Sequence, residues 1–198
     1  MARRQRQMCI RDSGISIRMA HIGIIGVGSY VPPHEMSNDD WAEIVDTSDE
    51  WITTKTGMKK RRIADSDVCT SDLAVEACKV ALENSGLEVS DIDLIILATS
   101  SPDVPMSSTA GIVQDKLGCT DCVAFDINAV CAGWVHALDI GSRFAGTEGY
   151  ENVLVVGSEV YSRILNWGDR STCVLFGDGA GAVVLSRVPE GKGIIGSW

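Results

Sequence analysis

A short, uninterrupted apolar run sets the strongest limit on the fold of this 198-residue chain. Residues 94–98 read Leu-Ile-Ile-Leu-Ala and are bounded by Asp93 and Thr99. A run of this length is typical of a strand, and its lack of alternation indicates that both faces of the strand are covered. Helices on the two sides of a sheet are the usual cover for such a strand. The run therefore predicts a layered α/β fold.

Capping residues and glycines divide the rest of the chain into alternating strands and helices. Serine or threonine N-caps are expected to open four helices, and glycines to end two of them. The predicted strands cover residues 21–31, 93–99, 122–127, 152–157 and 182–186. The predicted helices cover residues 37–45, 48–57, 70–86, 107–117 and 132–144. The helix that Thr70 or Ser71 caps has an apolar stripe made of Leu73, Ala74, Ala77, Val80 and Ala81.

Charge and composition disfavour several classes of protein. Hydrophobic residues make up 45% of the chain, which is enough for a buried core and is not a disordered composition. A formal net charge of −10 disfavours a nucleic-acid partner. No apolar run approaches the length needed to cross a bilayer. These features favour a globular cytoplasmic protein without a membrane anchor.

Seven cysteines, an odd number with no secretory signal before them, are typical of reduced cytosolic thiols. Cys119 and Cys122 form a C-x-x-C pair, which is compatible with a zinc site or a redox site. A zinc site needs two further ligands, and none of the three histidines (His21, His34 and His136) stands at ligand spacing. We therefore expect no metal and interpret the pair as chance spacing. The alternative is a redox protein built on the two cysteines.

Cys131 lies where a predicted strand ends and a predicted helix begins. The first N–H groups of a helix and the positive end of its dipole favour a thiolate there, and they also stabilise an oxyanion formed by its attack on a carbonyl. His136 comes about 140° further around the helix and so does not face the sulfur. The pattern indicates a nucleophilic thiol, and the alternative is a small buried core residue.

Two glycine clusters do not fit a dinucleotide site. After Gly26 and Gly28, the third glycine of the fingerprint is replaced by Val31. The run at residues 177–181 is interpreted as a loop before a strand, not before a helix. We expect both clusters to be structural, because glycine permits close approach of two backbones.

Three segments resemble, in order and spacing, the β-ketoacyl-ACP synthase III family of thiolase-fold condensing enzymes. They are residues 46–57 with 60–64, residues 126–133, and residues 169–182. The resemblance runs from about His21 to the last residue. It implies an α/β, thiolase-like fold of which this chain is the first of two α/β halves, with a mixed five-stranded sheet and helices on both faces.

We expect three segments along the chain. Residues 1–18 are arginine-rich and aperiodic, so they are predicted to be an appended or disordered leader, with a transit peptide as the alternative. Residues 19–190 match the amino-terminal thiolase-like half. Residues 191–198 match the start of the linker and the first strand of a second half that these residues do not contain.

The resemblance implies a catalytic site and a coenzyme A site. Cys131 matches the acyl-accepting cysteine of the family. The implied coenzyme A contacts are Thr47, Trp51, Lys55 and Arg170. Trp51 and Arg170 are expected on opposite faces of the adenine, since both offer planar surfaces. Lys55 stands where the family usually has arginine, so it meets a phosphate as a point charge without a bidentate fork.

The resemblance also implies an acyl pocket and protein partners. Phe176 and Met106 match residues of the pocket. Met106 either enters the acyl pocket of a partner subunit and limits chain length there, or packs at a dimer contact, so a homodimer is implied. The basic run at residues 59–62 is either a docking site for acidic acyl carrier protein or a solvated face.

The implied activity is an acyl transfer that initiates fatty-acid synthesis. Cys131 takes the acyl group of acyl-CoA and passes it to decarboxylating malonyl-ACP, with no cofactor beyond acyl-CoA as substrate. The catalytic histidine and asparagine of the family have no counterpart in these residues, so the chain alone is expected not to condense. The alternatives are a thiolase-fold synthase of secondary metabolism and a non-catalytic fragment that binds acyl-CoA.

Overall fold

A computed structural model describes residues 21–196 as a layered α/β structure. The predicted leader, residues 1–18, lies outside the described residues, as do residues 19–20 and 197–198. The strands are β1 (Ile22–Tyr30), β2 (Glu35–Ser37), β3 (Lys60–Arg62), β4 (Leu94–Ala98), β5 (Val123–Ile127), β6 (Val153–Val160) and β7 (Asp178–Arg187). The helices are α1 (Asn38–Ala42), α2 (Asp49–Thr56), α3 (Thr70–Ser85), α4 (Thr109–Leu117) and α5 (Gly133–Phe144).

The main sheet has five strands in the order β1-β7-β6-β4-β5. β4 pairs in parallel with β5 and with β6, whereas β7 is antiparallel to both β6 and β1. β2 and β3 form a separate antiparallel pair. Parallel neighbours need crossover connections, which α4 and α5 supply. The predicted mixed five-stranded sheet is confirmed.

The central strand β4 is buried over its whole length, as its apolar run predicted. Ile95 and Leu97 face a core beneath α3 and α4, whereas Leu94 and Ile96 face a second core beneath α5. The side chains of β4 enter the two cores alternately, because successive side chains point to opposite faces of a sheet. Helices therefore cover both faces, and the predicted fold class is confirmed.

The long helix α3 lies very close to the edge strand β1. A Cβ atom on Gly28 would come 2.1 Å from the carbonyl oxygen of Ala77, and one on Gly26 would come 2.2 Å from that of Ala81. No side chain fits at such distances, so glycine is required at both positions. The structural role predicted for this glycine pair is confirmed.

The glycine-rich run at residues 177–181 is mostly strand, so the predicted loop is wrong. β7 begins at Asp178; its first two residues pair with β6, and from Ala180 onward the strand pairs with both β6 and β1. Gly181, for example, lies opposite Gly157 of β6 and Ser29 of β1. Pairing with two neighbours stabilises an extended backbone that glycine does not favour locally, and tertiary context overrides propensity.

The caps of the two short helices follow the sequence. Ser37 and Asp40 form a reciprocal capping box at α1, and Ser48 Oγ accepts a hydrogen bond from the Trp51 N–H at 3.1 Å. Gly57 ends α2 with φ +74°. None of the helices within residues 21–196 has the length and apolar content that a membrane crossing requires.

Two details of α3 differ from the prediction. Its N-cap is Cys69, whose N–H donates to the Asp72 carboxylate at 2.7 Å, so Thr70 already lies in the first turn. Val80 is 39% exposed although it was placed in the apolar stripe. Ala77 and Ala81 of the same predicted stripe are fully buried, and their backbone carbonyl oxygens lie against Gly28 and Gly26 of β1.

Residues 188–196 follow β7 as irregular chain beside β1. The Val188 N–H donates to the His21 oxygen and the Ile194 N–H to the Ile22 oxygen, each at 2.7 Å. These isolated bonds do not make a strand, so residues 193–196 lack the predicted strand start. Residues 197–198 of that predicted segment lie outside the described range.

Candidate active site

Cys131 lies in a single 3-10 turn, residues 130–132, that leads directly into α5. No side chain caps α5; the N–H groups of Ala132 and Gly133 donate instead to the carbonyls of Ala129 and Val130 in the preceding turn. The cysteine is exposed. The structure therefore places Cys131 at the predicted joint between a strand and a helix, with helix N–H groups beside it.

The residue before the cysteine has a strained backbone. Val130 has φ +48°, and within residues 21–196 it is the one non-glycine residue with a positive φ. A β-branched side chain is disfavoured in this left-handed region, at a cost of roughly 1–3 kcal/mol. The strain accompanies a sharp turn that presents Cys131 to the space beyond the sheet. No sequence pattern signalled it.

Cys131 opens onto a cavity of about 340 Å³ beyond the carboxyl ends of β4 and β6. Ligands of open α/β sheets bind at such ends. Six glycine or alanine residues contribute to the walls, together with three aromatic and three polar side chains. These six larger residues are Trp134, Tyr161, Phe176, Ser100, Ser158 and Glu159. A largely apolar cavity beside a thiol has the chemistry that suits an acyl chain.

Three aromatic residues shape this cavity. Phe176, assigned to the acyl pocket from sequence, lies in the wall and stacks on Tyr161 with ring centroids 4.7 Å apart. Trp134 packs against Gly157, where a Cβ atom would come 3.1 Å from its Cε3 atom. Sequence reasoning missed Trp134, although it stands within one helical turn of Cys131. It also missed Tyr161, which follows β6 and has no spacing relation to the cysteine.

Trp51 and Arg170, predicted to hold an adenine, lie together at the surface. The guanidinium carbon of Arg170 is 5.1 Å from the Trp51 ring centroid, which is a cation–π contact. Nη1 of Arg170 also donates to the backbone oxygen of Asp46 at 2.6 Å. A planar base between the two side chains needs about 7 Å, twice a contact distance of about 3.5 Å. The slot is closed in this structure, and Arg170 must swing outward to admit a base.

The two other predicted coenzyme A contacts lie beside this pair. Thr47 precedes α2, and its Oγ1 atom is shielded from solvent but has no hydrogen-bond partner in the described part of the chain. Buried polar atoms normally have a partner, so this hydroxyl is available to a ligand. Lys55 is exposed in the last turn of α2, one turn beyond Trp51 and on the same face. The structure thus gathers all four residues around α2.

Met106 does not line the cavity of its own chain. Its side chain is 94% exposed, in the loop between β4 and α4. The loop is fixed at its end, because the carboxylate of Asp126 on β5 accepts hydrogen bonds from Ser108 Oγ at 3.0 Å and from the Thr109 N–H at 2.7 Å. A large apolar side chain is therefore held out into solvent, and both predicted roles stay open.

The basic run at residues 59–62, predicted to be either a docking site or a solvated face, is not exposed over its whole length. Arg61 is only 5% exposed and donates to Asn38 Oδ1 and to the Val174 carbonyl. Its burial lowers the pKa of the guanidinium. Lys60 and Arg62 both pair with Glu35, at 2.8 and 3.1 Å. Successive side chains of β3 point to opposite faces, so that of Arg61 points into the protein. The number of charges in the run does not reveal this.

The C-x-x-C pair, predicted to be chance spacing, is brought together in the turn between α4 and β5, with Cα atoms 5.9 Å apart. The chance-spacing interpretation and the redox alternative both stay predictions. Gly118, with φ +75°, turns the chain there and brings the two residues together. Within residues 21–196 no group of three or more histidine, cysteine or acidic side chains could hold a metal ion. His136 is exposed and lies outside the cavity lining.

Comparison with known proteins points to one family. The family model of 3-oxoacyl-[acyl-carrier-protein (ACP)] synthase III matches residues 125–197. The β-ketoacyl-[ACP] synthase III of Caldanaerobacter subterraneus is 55% identical over 176 residues, which cover 89% of this chain and 53% of the relative. That of Neisseria meningitidis is 54% identical over 180 residues, covering 90% and 56%. The chain spans about half the length of the curated relatives that it matches.

Solved structures agree with this. The crystal structure of 3-oxoacyl-[ACP] synthase III from Aquifex aeolicus superposes with a TM-score of 0.82 at 49% identity, over 85% of this chain and 55% of that one. The priming β-ketosynthase of the R1128 polyketide pathway gives a TM-score of 0.83 at 37% identity, over 85% and 51%.

Proposed function

Because the chain belongs to the 3-oxoacyl-[acyl-carrier-protein] synthase III family, we propose that it performs the acyl-accepting step of the condensation that initiates fatty-acid synthesis. In that reaction an acyl group passes from acyl-CoA to a cysteine and then to malonyl-ACP, which loses carbon dioxide. One observation carries the proposal: Cys131 is exposed at the uncapped amino end of α5 and lines a cavity of about 340 Å³.

The first half-reaction forms a thioester on Cys131. Its thiolate attacks the carbonyl carbon of acyl-CoA, and the first N–H groups of α5, with the helix dipole, stabilise the negative charge on the carbonyl oxygen. The tetrahedral intermediate collapses, the bond between the acyl carbon and the coenzyme A sulfur breaks, and the released thiolate takes a proton from water. The acyl chain stays in the cavity that Trp134 and Phe176 line.

Coenzyme A binds across α2 in this proposal. Arg170 swings away from Trp51, and the adenine enters between them, so that each side chain covers one face of the base. The unpartnered Thr47 Oγ1 gains a hydrogen bond to the nucleotide. Lys55, exposed on the same helix face as Trp51, meets the diphosphate as a point charge.

The partners proposed are a second copy of the chain and acyl carrier protein. The support for a homodimer is Met106, a large apolar side chain that is 94% exposed on a loop whose end is fixed; we propose that it enters the acyl cavity of the other copy. In the basic run, Lys59 is the exposed residue for which the structure shows no acidic partner within residues 21–196, and we propose that it contacts the acidic carrier protein. This chemistry needs no cofactor beyond acyl-CoA as substrate, and we assign it to the cytoplasm.

The second half-reaction needs groups that the described cavity does not contain. The enolate formed when malonyl-ACP loses carbon dioxide requires hydrogen-bond donors to its oxygen. No histidine or asparagine lines the cavity within residues 21–196. We therefore expect the 198-residue chain to accept an acyl group but to release no 3-oxoacyl-ACP.

Acylation of Cys131 tests the proposal. The chain is mixed with radiolabelled acetyl-CoA, denatured, and analysed by intact mass and peptide mapping. We expect a hydroxylamine-sensitive label on Cys131, its loss in Cys131→Ser, and its retention in the control Cys69→Ser, which removes another accessible thiol. Label that is bound natively but released on denaturation supports the non-catalytic acyl-CoA-binding fragment instead.

A synthase of secondary metabolism is a second candidate, favoured by the 37% identity to the R1128 priming ketosynthase. The two candidates differ in the carrier protein that receives the acyl group. Binding of the acyl-loaded chain to the malonyl-loaded fatty-acid carrier and to a malonyl-loaded polyketide carrier is compared by surface plasmon resonance. Tighter binding to the polyketide carrier would favour this second candidate.

A further inference from the structure

The carboxylate of Glu159 is the least expected group in the cavity wall. Glu159 lies near the end of β6, on the same strand face as Gly157 and the fully buried Val155. Its neighbours on that face are apolar or lack a side chain, and a carboxylate set against them is costly unless hydrogen bonds satisfy it. Glu159 nevertheless lines the cavity together with Cys131.

One turn of the chain satisfies this carboxylate. Oε1 accepts hydrogen bonds from the Ser100 N–H and from Ser100 Oγ, both at 2.8 Å. Oε2 accepts from Thr99 Oγ1 at 3.2 Å and from Ser101 Oγ. All four donors belong to residues 99–101, which directly follow β4. A carboxylate with this many donors is fixed in both position and orientation.

The same turn is tied to the layer behind it. Ser101 Oγ accepts a hydrogen bond from the Val160 N–H at 3.0 Å. The backbone oxygen of Ser101 accepts a second one from Thr70 Oγ1 on α3 at 2.5 Å. Ser158 Oγ in turn donates to the Thr70 oxygen at 2.8 Å. Buried polar networks of this kind are rigid when every member is satisfied.

Ser100 is the point at which this network reaches the cavity. Its hydroxyl proton is committed to Glu159, so it does not point at an acyl chain, and its position is set by two hydrogen bonds to the same carboxylate oxygen. Ser100 and Cys131 both line the cavity. The part of the cavity wall that Ser100 forms, here called the Ser100 wall, therefore limits which groups fit beside the Cys131 sulfur.

We propose that Glu159 is a positioning residue that fixes the Ser100 wall and thereby sets the selectivity of Cys131 for short over long acyl groups. This inference rests on the proposed function for its substrate class. It assigns Glu159 no contact with the reacting atoms. When Glu159 is neutralised, the 99–101 turn loses its anchor, the wall moves outward, and long acyl groups gain access.

The test compares short and long probes on Glu159→Gln, which keeps the side-chain shape but removes the charge and half of the acceptors. Asp93→Asn is the matched control, because Asp93 also holds backbone N–H groups between β4 and β6, those of Glu151 and Asn152 at 2.7 and 2.9 Å, but at the opposite end of the sheet. Thr99→Val is a second variant outside the cavity lining; it removes one donor to Glu159 and the acceptor of the Ser101 N–H within the same turn.

Two rates are measured on each protein: acylation of Cys131 by acetyl-CoA and octanoyl-CoA, and its alkylation by iodoacetamide and N-octyl iodoacetamide. We expect the long-to-short ratio to rise roughly fivefold in Glu159→Gln, the effect of about one lost hydrogen bond. Thr99→Val raises it less, and Asp93→Asn leaves it unchanged. If a substitution only lowers the stability of the protein, its melting temperature falls, but its long-to-short ratios of acylation and alkylation stay at the wild-type values.

Each outcome decides something. Unchanged ratios in Glu159→Gln and Thr99→Val, or an equal rise in Asp93→Asn, overturn the inference. If wild-type Cys131 accepts no acyl group at all, the proposed function fails, and the alkylation ratios still report whether Glu159 sets the wall. If Glu159→Gln does not fold, the ratio in Thr99→Val decides.

Discussion

Val130 holds a left-handed backbone immediately before the proposed nucleophile, and its side chain is 57% exposed. In Val130→Gly the steric strain of about 1–3 kcal/mol is relieved, at an entropic cost of up to about 1 kcal/mol in the unfolded chain. Little packing is lost because the side chain is largely in solvent. We expect urea denaturation to give a free energy of unfolding that is higher by roughly 1 kcal/mol.

The same substitution is expected to slow acylation of Cys131. A glycine at position 130 lets the turn sample other conformations, so the thiol spends less time on the cavity wall. Val104→Gly is the control, because Val104 is also exposed in a loop but does not have a positive φ. Val104→Gly is expected to lower the free energy of unfolding. A more stable Val130→Gly with an unchanged acylation rate would show that the strain has no functional use, and a less stable Val130→Gly would contradict the strain itself.

Among the secondary-structure elements, the contact between β1 and α3 allows the sharpest prediction. In Gly28→Ala a methyl group would stand 2.1 Å from the Ala77 carbonyl oxygen, so the strand and helix must separate. We expect a loss of about 3 kcal/mol in the free energy of unfolding. Gly111→Ala is the control: it adds a methyl group with no neighbour within 4 Å in the first turn of α4, and it raises stability by about 0.5–1 kcal/mol. Equal effects in thermal unfolding would contradict the close contact.

The elements that follow from local patterns were predictable, and those that depend on distant partners were not. The apolar run of β4 and the serine caps of α1 and α2 contain their own signals, and the structure confirms them. The start of β7 was misread because its glycines are held by β6 and β1, which no local pattern reveals. Arg61 turned inward for a similar reason, since its partner Val174 lies far along the chain.

The residues of the candidate site also divide into those that the sequence signals and those that depend on distant partners. Cys131 was predictable because a strand-to-helix joint is visible in the sequence, and the resemblance to a known family supplied Phe176, Trp51 and Arg170. Glu159 was not predictable, because its role depends on a turn that β4 and β6 bring together in space. Physical reasoning on one sequence reaches residues near a local signal and misses those that act through a three-dimensional network.

For the whole molecule, the main open question is what covers its apolar surface. The chain spans about half the length of its curated relatives, and several large apolar side chains are exposed within residues 21–196. Met106 is the most informative of them, because hydrogen bonds to Asp126 fix the end of its loop while its side chain is 94% exposed. If two copies exchange this side chain, its contribution depends on an apolar environment in the partner.

Met106→Glu is therefore expected to weaken self-association. A carboxylate in an apolar pocket must be desolvated, so the dissociation constant of the dimer rises at least about tenfold, or about 1.4 kcal/mol. Sedimentation velocity over a range of concentrations measures it. Ile195→Glu is the matched control, because Ile195 is equally exposed, at 94%, but lies after β7 at the other end of the described chain. If both variants dissociate alike, general surface hydrophobicity drives association; if neither does, Met106 has no partner in a second copy.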